Sequence, residues 1–372
     1  MSISTILIDI SNSIQVNTKD LSLIFTFFTT GAILGQLTSV FYNTKFTKLR
    51  IILVSYALLV PITIALSFSN SIYTFFILYI FAGYILGVIW IQATVNVLES
   101  KIKNKDRLMT IALCFYPFGA FTAPFIASTI VGNNLSWRYL YYIIIFLIVI
   151  ITILYLTVTR NRKDEILTKK REKINFRKIF HDRRKNMVFI IVAFGLIFYS
   201  IADTSLIVWS PTFFRVERMF SMQAAGYVIS IFWMAVIIGR IIVSPVLGKI
   251  QANRVLFMLS TIAIIFTSFT IFSRTKFNIF TGIGLAGIGY SAIFPLFISS
   301  GSTLYKKGRG VLVTILFVAA YIGKSIAPFM TRFTSKYNMT LSVSLSVIFM
   351  GITMILIIFH IFYKKRFVDN KT

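Results

Sequence analysis

Charged residues are scarce in this chain of 372 residues: they make up 13% of it, against about a quarter in soluble globular domains. Cysteine occurs once, as Cys114, which excludes an internal disulfide and a thiolate metal cluster. The two histidines, His181 and His360, are far apart in sequence, so no metal site is predicted. A phosphate-binding loop and a nucleophile beside a base are also missing, which argues against an enzyme, an ATP-driven pump and a bound cofactor.

The chain is instead rich in long apolar runs, with 57% hydrophobic residues and a mean hydropathy of +0.84. A helix needs about 20 apolar residues to cross a hydrocarbon core that is roughly 30 Å thick. The runs are continuous rather than alternating, so they predict membrane helices and not barrel strands. Eleven spans are predicted, at 21–43, 51–68, 73–97, 108–132, 138–158, 187–209, 222–245, 255–273, 279–304, 311–333 and 340–363.

Lysine and arginine concentrate in alternate loops. Of the 38 such residues, 28 lie in segments at one end of the predicted helices, here called the basic end: 44–50, 99–107, 159–186, 246–254, 305–310 and 364–372. The loops at the other end, here called the opposite end, are poor in them. Cytoplasmic loops of membrane proteins collect Lys and Arg, so the basic end and the C-terminus are predicted to be cytoplasmic. The net charge of +27 is therefore a topology signal, and no nucleic-acid partner is expected.

The longest polar segment divides the chain into two halves. Residues 159–186 hold 12 Lys or Arg residues and are predicted to be a basic cytoplasmic linker on anionic lipid headgroups. We expect an N-terminal helical bundle at 1–158 and a C-terminal bundle at 187–372.

The two halves resemble each other when the sequence is shifted by 204 positions. The pattern Gly119-x-x-x-Ala123-Pro124-Phe125 then meets Gly323-x-x-x-Ala327-Pro328-Phe329. Further matches are Gly35 with Gly239, Lys45 with Lys249, Arg50 with Arg254, Phe68-Ser69 with Phe272-Ser273, and Ala82-Gly83 with Ala286-Gly287. Equivalent loops fall at the same end, so the repeats are parallel, as in transporters built from two related bundles.

The repeat also predicts an incomplete first helix. The span at 187–209 has its partner at positions −17 to 5, most of which precede Met1. Residues 1–16 are therefore expected to form only the outer end of a first helix and a loop. A mis-assigned start and a true truncation both fit this pattern.

These residues resemble the major facilitator superfamily, and more narrowly a TsgA-like branch related to fucose permeases. The resemblance covers nearly the whole chain and is carried by Phe25-Thr26-Phe27 near Gly31, Trp209-Ser210-Pro211, Ala224-Ala225-Gly226, Phe232-Trp233-Met234 and Gly239-Arg240. It implies an all-α membrane fold of two bundles, about eleven full helices with a partial first one, and a monomer. The loop at 43–50 departs from the superfamily pattern because it lacks the usual Gly and Asp.

Ionisable residues inside the predicted spans are the first site candidates, because a charge in a bilayer is costly and usually has a function or a partner. Asp203 is predicted six residues, about 9 Å, from the outer end of its span. It is interpreted either as a protonatable or substrate-binding carboxylate, or as a wetted structural group. Lys324 either snorkels to the surface or pairs with Asp203. Arg240 is interpreted as a structural residue that bonds nearby carbonyls.

Aromatic and amide side chains are the second group of candidates. Trp90 and Phe294 are equivalent at the offset of 204, and Gln92 and Asn96 lie one helical turn apart. Such groups suit a sugar-like solute through stacking and hydrogen bonds, although packing between helices explains the aromatics equally well. Weaker candidates of the same kind are Tyr116, Tyr290 and Tyr321.

Glycine and proline residues are the gating or structural candidates, because they loosen helices and allow close contact. They are Gly119, Pro124, Gly239, Gly323 and Pro328, together with Arg240.

The sequence thus predicts a secondary transporter for a small polar organic solute in the cell inner membrane. It would work by alternating access, with proton coupling through Asp203 as a hypothesis. Two alternatives stay open, an efflux carrier for toxic compounds and a membrane protein that no longer transports.

Overall fold

The computed structural model describes residues 2–99, 105–159, 182–247, 249–305 and 309–367. Within these ranges the regular structure is helical. Most of the predicted basic linker, residues 160–181, lies outside the described residues.

Eight helices, three of them short, are found in the described residues of the N-terminal half. They are α1 (Ser2–Thr5), α2 (Leu7–Ser13), α3 (Thr18–Leu21), α4 (Ile24–Lys45), α5 (Lys48–Phe68), α6 (Ile72–Glu99), α7 (Lys105–Gly132) and α8 (Arg138–Thr159).

The described ranges of the C-terminal half contain seven helices. They are α9 (Arg183–Glu217), α10 (Met222–Val246), α11 (Ala252–Phe272), α12 (Lys276–Tyr290), α13 (Ile293–Ser302), α14 (Arg309–Thr334) and α15 (Met339–Phe367).

The number of membrane spans agrees with the sequence prediction. Eleven helical segments in the described ranges are long and apolar enough to cross a membrane. The short helices α1 and α2 cover the region predicted to be the outer end of a first helix. At the offset of 204 they correspond to residues 206–217, the last turns of α9.

Two predicted spans were wrong in detail. The span at 187–209 continues to Glu217, because residues Ser210–Phe214 are buried in the C-terminal half and pack as helix despite Pro211. Tertiary packing there outweighs the preference of proline for a helix start. The span at 279–304 is broken into α12 and α13 at Ser291 and Ala292.

The repeat is visible in the contacts between helices. A Cβ atom added at Gly83 of α6 would lie 1.9 Å from the Phe28 carbonyl oxygen of α4. At the equivalent place, a Cβ at Gly287 of α12 would lie 2.4 Å from the Phe232 carbonyl oxygen of α10. In both halves, glycine therefore lets the second and fourth spanning helices of the repeat approach to backbone contact.

The two halves meet near the opposite end. The Thr26 hydroxyl of α4 donates to the Ser325 carbonyl of α14 at 3.0 Å, and the Ser230 hydroxyl of α10 donates to the Phe121 carbonyl of α7 at 3.1 Å. Phe125 and Tyr227 stack nearby with centroids 5.6 Å apart. The opposite end of the interface between the halves is therefore closed.

Towards the basic end, several side chains on the helices that form this interface are exposed. The face of α4 that meets α14 at Thr26 and Thr30 continues through Leu34 and Leu37, at helical spacings of four and three residues. Both leucines are 48% exposed. On α7, Phe118 lies one turn from Phe121 on the face that meets α10, and it is 58% exposed.

Candidate functional site

Asp203 lies deeper than the sequence predicted. Because α9 extends to Glu217, the carboxylate is 14 residues, about 21 Å, from that end of the helix. It is 6% exposed. Tyr199 lies one turn earlier on the same face of α9. The negative charge of Asp203 interacts with the hydroxyl groups of Tyr116, Tyr199 and Tyr290.

These tyrosines belong to a closed series of eight aromatic rings, here called the aromatic circuit. Each ring contacts the next with centroids 5.4–6.4 Å apart. In order, the circuit consists of Trp90, Tyr116, Trp233, Phe232, Tyr290, Tyr199, Phe294 and Phe317. The members come from both halves, and the last ring returns to the first through the contact of Phe317 with Trp90 at 6.1 Å.

The N-terminal half contributes Trp90 of α6 and Tyr116 of α7 to the circuit. Most members from the C-terminal half are buried, whereas Tyr116 is 37% exposed. Trp90 and Phe294, the candidates equivalent by the repeat, both lie in the circuit. The halves thus share one aromatic cluster, and Asp203 interacts with it through charge.

Lys324 faces two tyrosines of this region. Its ammonium group lies 5.7 Å from the Tyr116 ring centroid and 5.2 Å from that of Tyr321, which are cation–π distances. Within the described part of the chain it interacts with Asp203 through charge, but the direct ion pair that was one of its two interpretations is not formed in this conformation. Lys324 is therefore placed at the site by aromatic contacts.

Arg240 stabilises the break between α12 and α13. Pro295 has no N–H group, so it cannot donate to the Ser291 carbonyl, as a regular helix would require. The Arg240 Nε group donates to that carbonyl at 3.0 Å, and the Tyr199 hydroxyl donates to the Tyr290 carbonyl at 3.3 Å. This matches the interpretation of Arg240 as a residue that bonds nearby carbonyls. The break directs Tyr290 and Phe294 into the circuit.

The amide candidates are not part of the circuit. Gln92 is fully buried in the N-terminal half, where its Nε2 group donates to the Ser39 carbonyl of α4 at 3.3 Å. For Asn96, the side chain lies outside the described part of the structure. The structure adds Gln36, the repeat equivalent of Arg240, as a fully buried amide on α4.

The repeated glycine elements differ between the halves. A Cβ at Gly323 would lie 2.2 Å from the Ile197 carbonyl oxygen of α9, whereas one at Gly119 would meet nothing within 4 Å. A Cβ at Gly239 would lie 2.7 Å from the Ser291 Cβ. Pro124 and Pro328 are buried inside α7 and α14.

Four circuit members were not among the site candidates drawn from the sequence, namely Tyr199, Phe232, Trp233 and Phe317. Tyr199 could have been found from its position one turn before Asp203. Phe232 and Trp233 stood out only in the family resemblance. Phe317 gave no signal, because an aromatic residue in an apolar helix looks the same whether it faces lipid, a neighbouring helix or a site.

Comparison with known proteins decides the family. Residues 1–328 match the sequence profile of the Major Facilitator Superfamily. The chain belongs to this superfamily. It is therefore a multi-pass membrane transporter and not an enzyme.

Individual relatives are distant but align over most of their length. The chain is 24% identical over 367 residues to a TsgA homologue of Buchnera aphidicola subsp. Baizongia pistaciae, covering 94% of this chain and 88% of that protein. It is 21% identical over 349 residues to the glucose/mannose transporter GlcP of Bacillus subtilis, covering 90% and 85%. A TsgA homologue of Enterobacter is 24% identical over 325 residues, covering 85% and 78%. These similarities place this superfamily member beside the TsgA branch.

Proposed function

We propose that this transporter is a secondary active carrier for a small, polar, sugar-like solute. The observation that carries the proposal is the aromatic circuit with Asp203 beside it. Aromatic faces pack against the apolar face of a sugar ring, and a carboxylate accepts hydrogen bonds from its hydroxyl groups. The similarity to a protein named as a glucose/mannose transporter supports the same class of solute.

The circuit also suits alternating access. Trp90 and Tyr116 belong to one half of the chain, and the other six rings belong to the other half. A rocking motion of bundle 1–158 against bundle 187–372 would open and close the site at either end without moving it along the membrane. The linker 159–186 would connect the bundles on the cytoplasmic side.

The proposed orientation of the transporter in the membrane follows from the distribution of Lys and Arg. The basic end carries the excess of Lys and Arg, so it faces the cytoplasm of a bacterial inner membrane, together with the C-terminus. The conformation described above is then the one that is closed towards the outside of the cell. The carrier acts as a monomer and needs no cofactor.

Asp203 is the candidate for proton coupling. A buried carboxylate is stabilised when it is neutral, so protonation favours the state in which it is most desolvated. Lys324 and Arg240 are the cationic groups that interact with it through charge. A solute that displaces Lys324 from Tyr116 would therefore change the protonation of Asp203, which links the two events.

The test is uptake of radiolabelled glucose and mannose into proteoliposomes at two values of internal and external pH. We expect Asp203→Asn to lower uptake by roughly 10- to 100-fold, the effect of losing a hydrogen bond to a charged group, and to abolish its pH dependence. Trp90→Ala should raise the apparent KM by roughly two- to tenfold through lost stacking.

The matched control is Glu217→Gln, which neutralises an exposed carboxylate at the end of the same helix α9. It should leave uptake and KM unchanged. Folded wild-type protein that takes up neither hexose would contradict the proposed substrate class. Asp203→Asn with unaltered uptake and pH profile would contradict the role of the carboxylate.

A further inference from the structure

The N-terminal segment, residues 2–23, is anchored in the N-terminal half. Ile6, Leu7 and Ile10 are fully buried in a hydrophobic cluster that also contains Trp137 and Tyr141. Leu7 and Ile10 lie one turn apart on α2 and Ile6 directly precedes this helix, so the three apolar side chains hold the segment against the N-terminal half at the opposite end. Two of its carboxylates, Asp9 and Asp20, pair with the other half.

Asp9 forms an ion pair with the C-terminal half. Its carboxylate accepts two hydrogen bonds from Arg215 in the last turn of α9, from Nη1 to Oδ2 at 2.7 Å and from Nη2 to Oδ1 at 3.2 Å. The two side chains are 21% and 20% exposed. A bidentate pair of this kind fixes geometry more strongly than a single contact between charges.

Asp20 forms a second ion pair between the halves. Its Oδ1 atom accepts from Arg332 Nε at 3.0 Å and from Arg332 Nη2 at 2.5 Å. Arg332 lies in the last turn of α14, the helix of the C-terminal half that contacts α4. The pair stands at the same end of the molecule as Asp9 with Arg215, on a different helix of the C-terminal half.

Acidic residues are few at the opposite end, and most of them take part in these two pairs. Of 11 acidic residues in the chain, three lie at the opposite end: Asp9, Asp20 and Glu217. Two of the three pair across the halves, and both belong to the N-terminal segment. Their arginine partners both end helices of the C-terminal half.

We propose that the N-terminal segment acts as a latch, which means that it keeps the two halves together at the opposite end. Asp9 and Asp20 are the residues that do this, through their ion pairs with the C-terminal half. While both pairs are formed, they hold α9 and α14 against the N-terminal half and favour the conformation closed at this end. Opening the gate requires both pairs to separate and their four charged groups to be rehydrated. The inference rests on the proposed alternating access, but its test needs no transported solute.

The experiment measures how often the closed interface opens. Ser128 of α7 is fully buried against Gly226 of α10, between the halves. A Ser128→Cys reporter in a Cys114→Ala background is reacted with a charged thiol reagent in lipid nanodiscs, and the labelling rate follows the open fraction. Since partly exposed ion pairs are individually weak, each of Asp9→Asn and Asp20→Asn should raise the rate by roughly two- to fivefold, and both together by more.

Two controls distinguish the loss of a specific latch from a general destabilisation of the protein. Glu217→Gln removes the third carboxylate of this end and should not change the rate. The exchange Asp9→Arg with Arg215→Asp should return the rate towards that of the parent, because the pair is restored with its charges reversed. Melting temperatures measured alongside show whether each variant remains folded.

A labelling rate that stays constant in the double variant, at unchanged melting temperature, would overturn the latch. So would an increase that the charge exchange does not reverse. Faster labelling in a protein that transports neither hexose would support the latch while contradicting the proposed solute, so the two failures are distinguishable.

Discussion

At the scale of single residues, Arg240 compensates for the missing backbone donor of Pro295, although the two residues are on different helices. Pro295 removes the amide that would bond the Ser291 carbonyl, and the Arg240 guanidinium supplies a donor in its place. An arginine inside a membrane span is therefore explained by a backbone defect on a neighbouring helix. Its charge also acts on Asp203.

This pairing can be tested with a double-mutant cycle. Arg240→Gln should lower the free energy of unfolding by about 1–3 kcal/mol, because it leaves a buried carbonyl without its donor. In a Pro295→Ala background the amide of residue 295 can bond Ser291, so the same substitution should cost less. Denaturation in detergent micelles measures both, and strictly additive effects would refute the compensation.

At the scale of helices, the repeat predicts equal roles for Gly119 and Gly323, but their surroundings differ. Gly323 lets α14 approach the backbone of α9 at Ile197, whereas Gly119 faces open space. The two glycines occupy equivalent places in the sequence pattern. Only one of them is a packing contact in this conformation.

Alanine substitutions at these two positions should therefore have opposite effects on stability. Gly323→Ala would place a Cβ 2.2 Å from the Ile197 carbonyl oxygen and should cost about 1–3 kcal/mol as overpacking. Gly119→Ala should be neutral or stabilise by about 0.5–1 kcal/mol, since glycine weakens a helix interior. Thermal unfolding of the two variants compares them directly, and losses of similar size would contradict the assignment.

At the scale of the whole molecule, the closed end depends on close contact between α7 and α10. A Cβ at Gly226 would lie 2.4 Å from the Ser128 Cβ, across the interface of the halves. Gly226→Ala should thus act as a wedge that favours opening at the opposite end rather than unfolding one half.

Spin labels measure this opening. Labels at Leu135 and Glu217, which are exposed at the opposite end in different halves, should show a longer distance in the Gly226→Ala protein. Gly351→Ala serves as the control, because a Cβ there would meet nothing within 4 Å. An unaltered distance distribution in the wedge variant would show that the interface yields locally instead.

The membrane class, the eleven spans and the two-fold repeat follow from the sequence alone. Each of these depends on local properties, namely the length of an apolar run, the charge of the loop beside it and the recurrence of Gly83 and Gly287 at one offset. Asp203, Trp90 and Phe294 also stand out as candidates, because charge within an apolar span and repeat symmetry are visible without coordinates.

What those residues contact depends on how the chain folds. Asp9 and Arg215 are 206 positions apart, and no periodicity relates them. The continuation of α9 past Pro211 follows from burial of the residues beyond it, which a propensity argument does not contain. Likewise, Gln92 faces Ser39 inside the N-terminal half because the rotation of α6 is set by its packing on α4. The aromatic circuit and the two ion pairs form where the halves meet. Such contacts are long-range, so no local pattern in the sequence reports them.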